Sequence, residues 1–155
     1  MIRRLELKVP LLWAHVRDVR TAINGALVGS SYSLRQAAEM TASELIENAI
    51  KYGEPVSGAE CAGVTLASDD DLIVITVVNG STNDEGVHDL MSRVDQIAKS
   101  SDRDALYLAR LQELISNPAE SGKLGLYRIG FEGGFDLSCT WENQIVTMVA
   151  KRGTR

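Results

Sequence analysis

Cysteine, histidine, proline and net positive charge are all scarce in this chain, and each scarcity removes a class of function. The two cysteines, Cys61 and Cys139, fall in separate strand-like segments without metal-ligand spacing, so both read as reduced, buried thiols. The two histidines, His15 and His88, stand alone, which leaves no His/Cys cluster and no Ser-His-Asp arrangement to argue from. His15 as a phosphoacceptor would need a dimerisation helix pair, and the sequence shows none. Sixteen Lys and Arg against 21 Asp and Glu give a net charge of −5, which argues against a general nucleic-acid or anionic-membrane binder. No apolar run approaches the ~20 residues of a membrane span and no N-terminal run resembles a secretion signal, so a cytoplasmic protein is expected. The three prolines each fall where an element ends.

What remains is the composition of an ordinary globular protein, with 45% apolar and 24% charged residues. At 155 residues the chain can bury roughly 70% of its unfolded surface, enough for one domain with a real core. Alternation of Leu5, Leu7 and Val9 predicts a strand over 4–9, closed by Pro10. Leu12, Val16, Val19, Ile23 and Leu27 predict a helix over 11–28. Ser33 is the expected cap of a second helix, with a buried stripe of Leu34, Ala38, Thr41, Leu45, Ala49 and Tyr52. Gly53 and Pro55 end it.

Two strands follow, over 61–67 and 72–78, joined by an Asp69-Asp70-Asp71 turn. Helices are expected over 87–99, from a cap near Ser101 and Asp104 to Asn117, and briefly around Leu126 and Ile129. Strands over 135–141 and 145–151, joined through Glu142-Asn143, complete the chain. The order β-α-α-β-β-α-α-α-β-β predicts an α+β fold. Its form is a two-layer α/β sandwich with helices on one face of a mixed, mostly antiparallel sheet.

The second helix carries the most informative stretch, Glu44-Leu45-Ile46-Glu47-Asn48-Ala49-Ile50-Lys51-Tyr52-Gly53. Glu44 and Asn48 are one turn apart and share a face at the edge of the core. A metal-bound phosphate site can use such a pair, the amide as a hard oxygen ligand and the carboxylate as a base. Glu47 and Lys51 read as a solvent-side i,i+4 ion pair, which makes Glu47 structural. A second stretch, Gly122-Lys123-Leu124-Gly125-Leu126-Tyr127, opens a helix, where glycines and free amides suit anions.

On "ELIENAIKYG" at 44–53 and "GKLGLYRIG" at 122–130, the chain resembles the GHKL superfamily of histidine kinase-like ATPases. Among these it looks closest to the anti-sigma-factor serine kinases of bacterial partner-switching systems. The resemblance implies the Bergerat, or histidine kinase-like, fold and binding of ATP with Mg²⁺. It implies Glu44 as the base, Asn48 as the metal ligand, and Asn48, Tyr52, Gly122, Gly125 and Leu126 around the nucleotide; Lys123 lies outside the family's pattern and is expected there for the positive charge it adds. The partner would be a small regulatory protein, an anti-sigma antagonist-like domain or a sigma factor, and a homodimer is a further expectation. Nucleic acid and membrane are not expected partners.

The chain departs from the family at the base-reading element, Asp-x-Gly-x-Gly directly after the central strand. The residue after Val78 is Asn79, whereas the literal partial match, Asp84-Glu85-Gly86, comes five residues later. Position favours Asn79 and identity favours Asp84. The region 84–121 corresponds to the family's ATP lid, enlarged by two helices. Two functions follow as expectations: an ATP-dependent serine/threonine kinase in a signalling switch, or a docking module on the same fold that no longer binds ATP.

Overall fold

The structure is a computed structural model that describes residues 2–117 and 124–155. Strand β1 (Arg3–Val9) leads through a 3-10 turn at Trp13–His15 into helices α1 (Val16–Ala26) and α2 (Tyr32–Tyr52). Strands β2 (Ala62–Ser68) and β3 (Leu72–Gly80) follow, then helices α3 (Asp84–Lys99), α4 (Arg103–Ser116) and α5 (Leu124–Phe131). Strands β4 (Asp136–Glu142) and β5 (Ile145–Gly153) close the sheet, whose spatial order is β1-β2-β3-β5-β4. Every neighbouring pair is antiparallel, so the parallel component allowed for in the sequence reading is not present among the described strands.

The register explains the two layers. Leu7 faces Val64, Leu66 faces Ile75, Val77 faces Met148 and Leu137 faces Ala150, and these side chains all point into one apolar core. The intervening positions put Thr65 opposite Thr76 and Ser138 opposite Val149, on the face away from the helices. Helices α1, α2 and α3 cover β1, β2–β3 and β4 respectively. Full burial of a Leu, Ile or Met side chain contributes roughly 1.5–3 kcal/mol. Ile23, Leu45, Ile46, Ile75 and Met148 therefore fix the helical layer on the sheet.

Several local details differ from the sequence reading. Ser31, not Ser33, caps α2, its hydroxyl accepting from the Leu34 amide at 3.1 Å. Ser33 lies within the first turn. Asp102 caps α4 in place of Ser101, accepting from the Ala105 amide at 3.0 Å. Tyr52 is half-buried rather than part of the buried stripe, which instead includes Ala37, Ala42 and Ile46. The last hairpin turns on Asn143 and Gln144, with φ of 52° and 65°, and Glu142 is the final residue of β4. Two successive positive φ values match the right-handed twist of the paired strands. Cys61 is exposed ahead of β2, contrary to the buried thiol expected, and Cys139 is half-buried.

Helix α3 buries Val87, Leu90, Val94 and Ile97 and packs over β4. It therefore belongs to the layer that covers the sheet, and among the described residues of the expected lid only α4 lies outside that layer. Helix α4 lies on α5, with Tyr107 stacked on Phe131 at 4.5 Å between ring centroids. Its first residue, Arg103, reaches the Phe135 carbonyl at 3.2 Å and Asp136 at 2.5 Å. Arg110, only 3% exposed, lies over the Tyr127 ring, 6.0 Å from its centroid. Among the described residues no helix is long and apolar enough to cross a membrane.

Candidate functional site

Helix α2 presents Glu44 and Asn48 because its buried line runs through Thr41, Leu45, Ile46 and Ala49, leaving both at the margin of the core. The Glu44 side chain is 18% exposed and Asn48 is 8% exposed. The Asn48 amide nitrogen donates to the Glu44 backbone carbonyl at 3.0 Å. Its donor is thus engaged within the helix, and the amide oxygen is the atom left to present to a ligand.

Helix α5 meets this face directly. A Cβ at Gly125 would stand within 2.6 Å of the Glu44 carboxyl carbon and overlap its Oε2, so the Glu44 carboxyl group occupies the space that a side chain at position 125 would take. One turn along α5, Arg128 Nη1 lies 3.4 Å from Glu44 Oε1. Arg128 is itself held by Glu132, whose Oε2 accepts from Nε at 3.1 Å and from Nη2 at 3.0 Å.

Glu47 does not turn away as its i,i+4 relation to Lys51 suggested. It lies three residues from Glu44 on the same side, and the two carboxyl groups are within hydrogen-bonding reach. Burial, then Glu47, pushes the Glu44 carboxyl above its ordinary range, and Arg128 and Arg20 oppose that rise. Glu44 and Glu47 both border a cleft of about 660 Å³ between α1, α2 and α5, with Arg20, Met40, Arg128 and Glu132 also in its wall. Asn48 is not in that wall. Glu47, Arg20 and Arg128 were missed from the sequence. The available signals were the i,i+3 spacing of Glu47 from Glu44 and the same spacing of Arg128 from Gly125.

The end of β3 returns to the last turn of α2. Asn79 is buried, with its amide nitrogen on the Gly80 carbonyl at 3.0 Å. A Cβ at Gly53 would lie 2.5 Å from that nitrogen. The Ser81 hydroxyl donates to the Tyr52 carbonyl at 2.6 Å, and the Thr82 amide and hydroxyl both donate to Glu54. Tyr52 thus enters through its carbonyl, while its ring faces the Lys51 ammonium 5.9 Å away. Asp84 and Gly86 stand apart from this contact. They form the first turn of α3, where the Asn83 side chain accepts from the Gly86 amide at 3.0 Å. The glycine there has a capping reason, since a Cβ would fall 2.5 Å from the Asn83 amide nitrogen.

Leu126 is buried in the core, and Gly122 and Lys123 lie outside the described residues. Tyr127 is also buried, its hydroxyl donating to Gln96 at 3.1 Å and accepting from Arg93 at 3.2 Å. The motif at 44–53 and the described residues 124–130 of the second motif therefore share one helix–helix contact, and the β3 end touches the same helix at its last turn. No protein-family model matches the chain, and no curated protein matches it.

Among the described residues no three His, Cys, Asp or Glu side chains are grouped to hold a metal by themselves. Asn48 would be the single protein ligand to such an ion, through its amide oxygen, and its contact with Glu44 is to the backbone carbonyl and not to the carboxyl group.

Proposed function

We propose that the chain is an ATP-binding regulator of the GHKL type, transferring the γ-phosphoryl group to a serine or threonine of a small partner protein in the cytoplasm. One observation carries the reading: Glu44 on α2 lies against Gly125 on α5, so two motifs distant in sequence share one contact. Helix α2 sits between that contact and the β3 end, where the buried Asn79 amide lies against Gly53. Phosphoryl transfer asks a protein for positioning and charge neutralisation more than for covalent chemistry. Glu44 would take the proton of the attacking hydroxyl, and it is one of two half-buried acids, with Glu47, that open onto a solvent cleft. Asn48 would hold Mg²⁺, which supplies charge neutralisation at the phosphates when bound. Asn79 would read the base, in preference to Asp84, which is exposed at the start of α3.

The placement of Asp84 and Gly86 in a helix cap favours a second reading, a docking module on this fold without nucleotide. Isothermal titration of the chain with Mg·ATP separates the two. Binding that is lost in Asn48→Ala supports the kinase, and no heat at millimolar nucleotide leaves the docking module. Substitution Glu44→Ala keeps nucleotide binding and stops transfer; transfer at the native rate in that variant removes Glu44 from the role of base.

A further inference from the structure

We propose that α5 positions the Glu44 carboxylate, Gly125 by leaving room for one oxygen and Arg128 by holding the other. The inference rests on the reading of Glu44 as the base and adds two residues to that site. A glutamate on a helix has three rotatable side-chain bonds, and a base has to be held within about 0.5 Å of its working geometry. Two fixed points on one rigid helix achieve this. Oε2 occupies the space a Gly125 side chain would fill, and Oε1 faces Arg128 Nη1 at 3.4 Å. Nε and Nη2 of Arg128 both bond Glu132 Oε2, at 3.1 and 3.0 Å, which leaves Nη1 directed toward Glu44. Gly125 thus answers to the acid on α2, whatever it does for a phosphate. The planar guanidinium lets one group face Glu132 and Glu44 together, which an ammonium does less well.

Arg128 is more than a third exposed, and surface ion pairs of this kind contribute little to folding. Its loss is therefore expected to leave the fold intact and to be read in the chemistry. In single-turnover hydrolysis of Mg·ATP by the full chain, Arg128→Met lowers the rate about tenfold with the Kd for Mg·ATP within about twofold of native, and Arg128→Lys recovers part of the rate. A native rate in Arg128→Met overturns the role of Arg128. The part played by Gly125 is tested without nucleotide. Gly125→Ala lowers the thermal midpoint by about 4 °C or more in the native background and by less than half as much beside Glu44→Ala. Where Gly125→Ala alone does not fold, recovery of folding in the double variant is the same result. Equal losses in both backgrounds overturn the steric relation. If Mg·ATP fails to bind and the coupling is still found, the nucleotide reading falls and the positioning of Glu44 by α5 stands.

Discussion

Gly53 and Asn79 are in closer apposition than any other side chain at position 53 would allow. A Cβ on Gly53 would meet the Asn79 amide nitrogen at 2.5 Å and the Gly80 carbonyl at 3.1 Å, and would overlap the Ala49 carbonyl. The backbone at Gly53 is extended, with φ of −90°, so this glycine is required by proximity and not by a left-handed conformation. Substitution Gly53→Ala should therefore cost about 1–3 kcal/mol, the usual range for overpacking. A urea melt followed by circular dichroism measures it. A loss under about 0.5 kcal/mol would mean that α2 and the β3 end are not held together as described.

Asn79→Asp sets two effects against each other. A charged acceptor at this position would strengthen a hydrogen bond to an adenine amine from about 1 to about 2 kcal/mol, roughly fivefold to tenfold in affinity. The same carboxylate would lose the bond that the Asn79 nitrogen now donates to the Gly80 carbonyl and would face that oxygen unprotected. About 1–3 kcal/mol of stability should be lost. Titration with Mg·ATP and with Mg·GTP, beside a denaturant melt, resolves the two. Tighter ATP binding with unchanged GTP binding, in a less stable protein, is the expected outcome. Unchanged affinity for both nucleotides would take Asn79 out of the base-reading role.

The order of elements was legible because it rests on periodicity. The alternation of Leu5, Leu7 and Val9 and the spacing of Val87, Met91, Val94 and Ala98, with Leu90 and Ile97 beside them, report the element whatever the partner, although the buried line of that helix is Val87, Leu90, Val94 and Ile97 and Ala98 is exposed. The convergence of Glu44 with the 122–130 motif could be proposed only as a wager, since nothing within a local window encodes contact between α2 and α5. Glu47 illustrates why. Its helical position suits both Glu44 and Lys51, and the local ion pair was the simpler reading. Burial and the arginines from α1 and α5 are contributed by distant segments. The caps at Ser31 and Asp102 had rivals of similar chemistry within two residues, which propensity does not separate. Asp84 and Gly86 admit two readings for a related reason: an Asp-x-Gly pair also suits the first turn of a helix, which favours acids and closes against a cap.

The two thiols should differ sharply in reactivity. Cys61 is exposed, whereas burial pushes the Cys139 thiol up to about 11. The thiolate is the reactive form, so at pH 8 Cys139 holds about a thousandth of its population in that form. One equivalent of a maleimide should add quickly, at Cys61, and the second only after denaturation. Peptide mapping of the labelled protein checks the order. Rapid labelling of Cys139 in the native state would contradict the packing of β4 beneath α3.

Acid stability offers a test of the β2–β3 turn. The Asp69 carboxylate accepts from the backbone amides of Asp71 and Leu72, each at 2.8 Å. These bonds favour the ionised form and lower its folded-state pKa below the ordinary carboxylate value. A group shifted in this direction stabilises the fold above its unfolded pKa, near 4, and that contribution is lost as pH falls through the lower folded value. Asn in its place keeps an acceptor oxygen but not the charge. Asp69→Asn should therefore lower the thermal midpoint at pH 7 and approach the native midpoint as pH falls below about 3. Melting curves of both proteins between pH 2 and pH 7 measure the difference. A gap that stayed constant across that range would show that the carboxylate charge at Asp69 has no part in holding the turn, leaving the β2–β3 register to strand pairing alone.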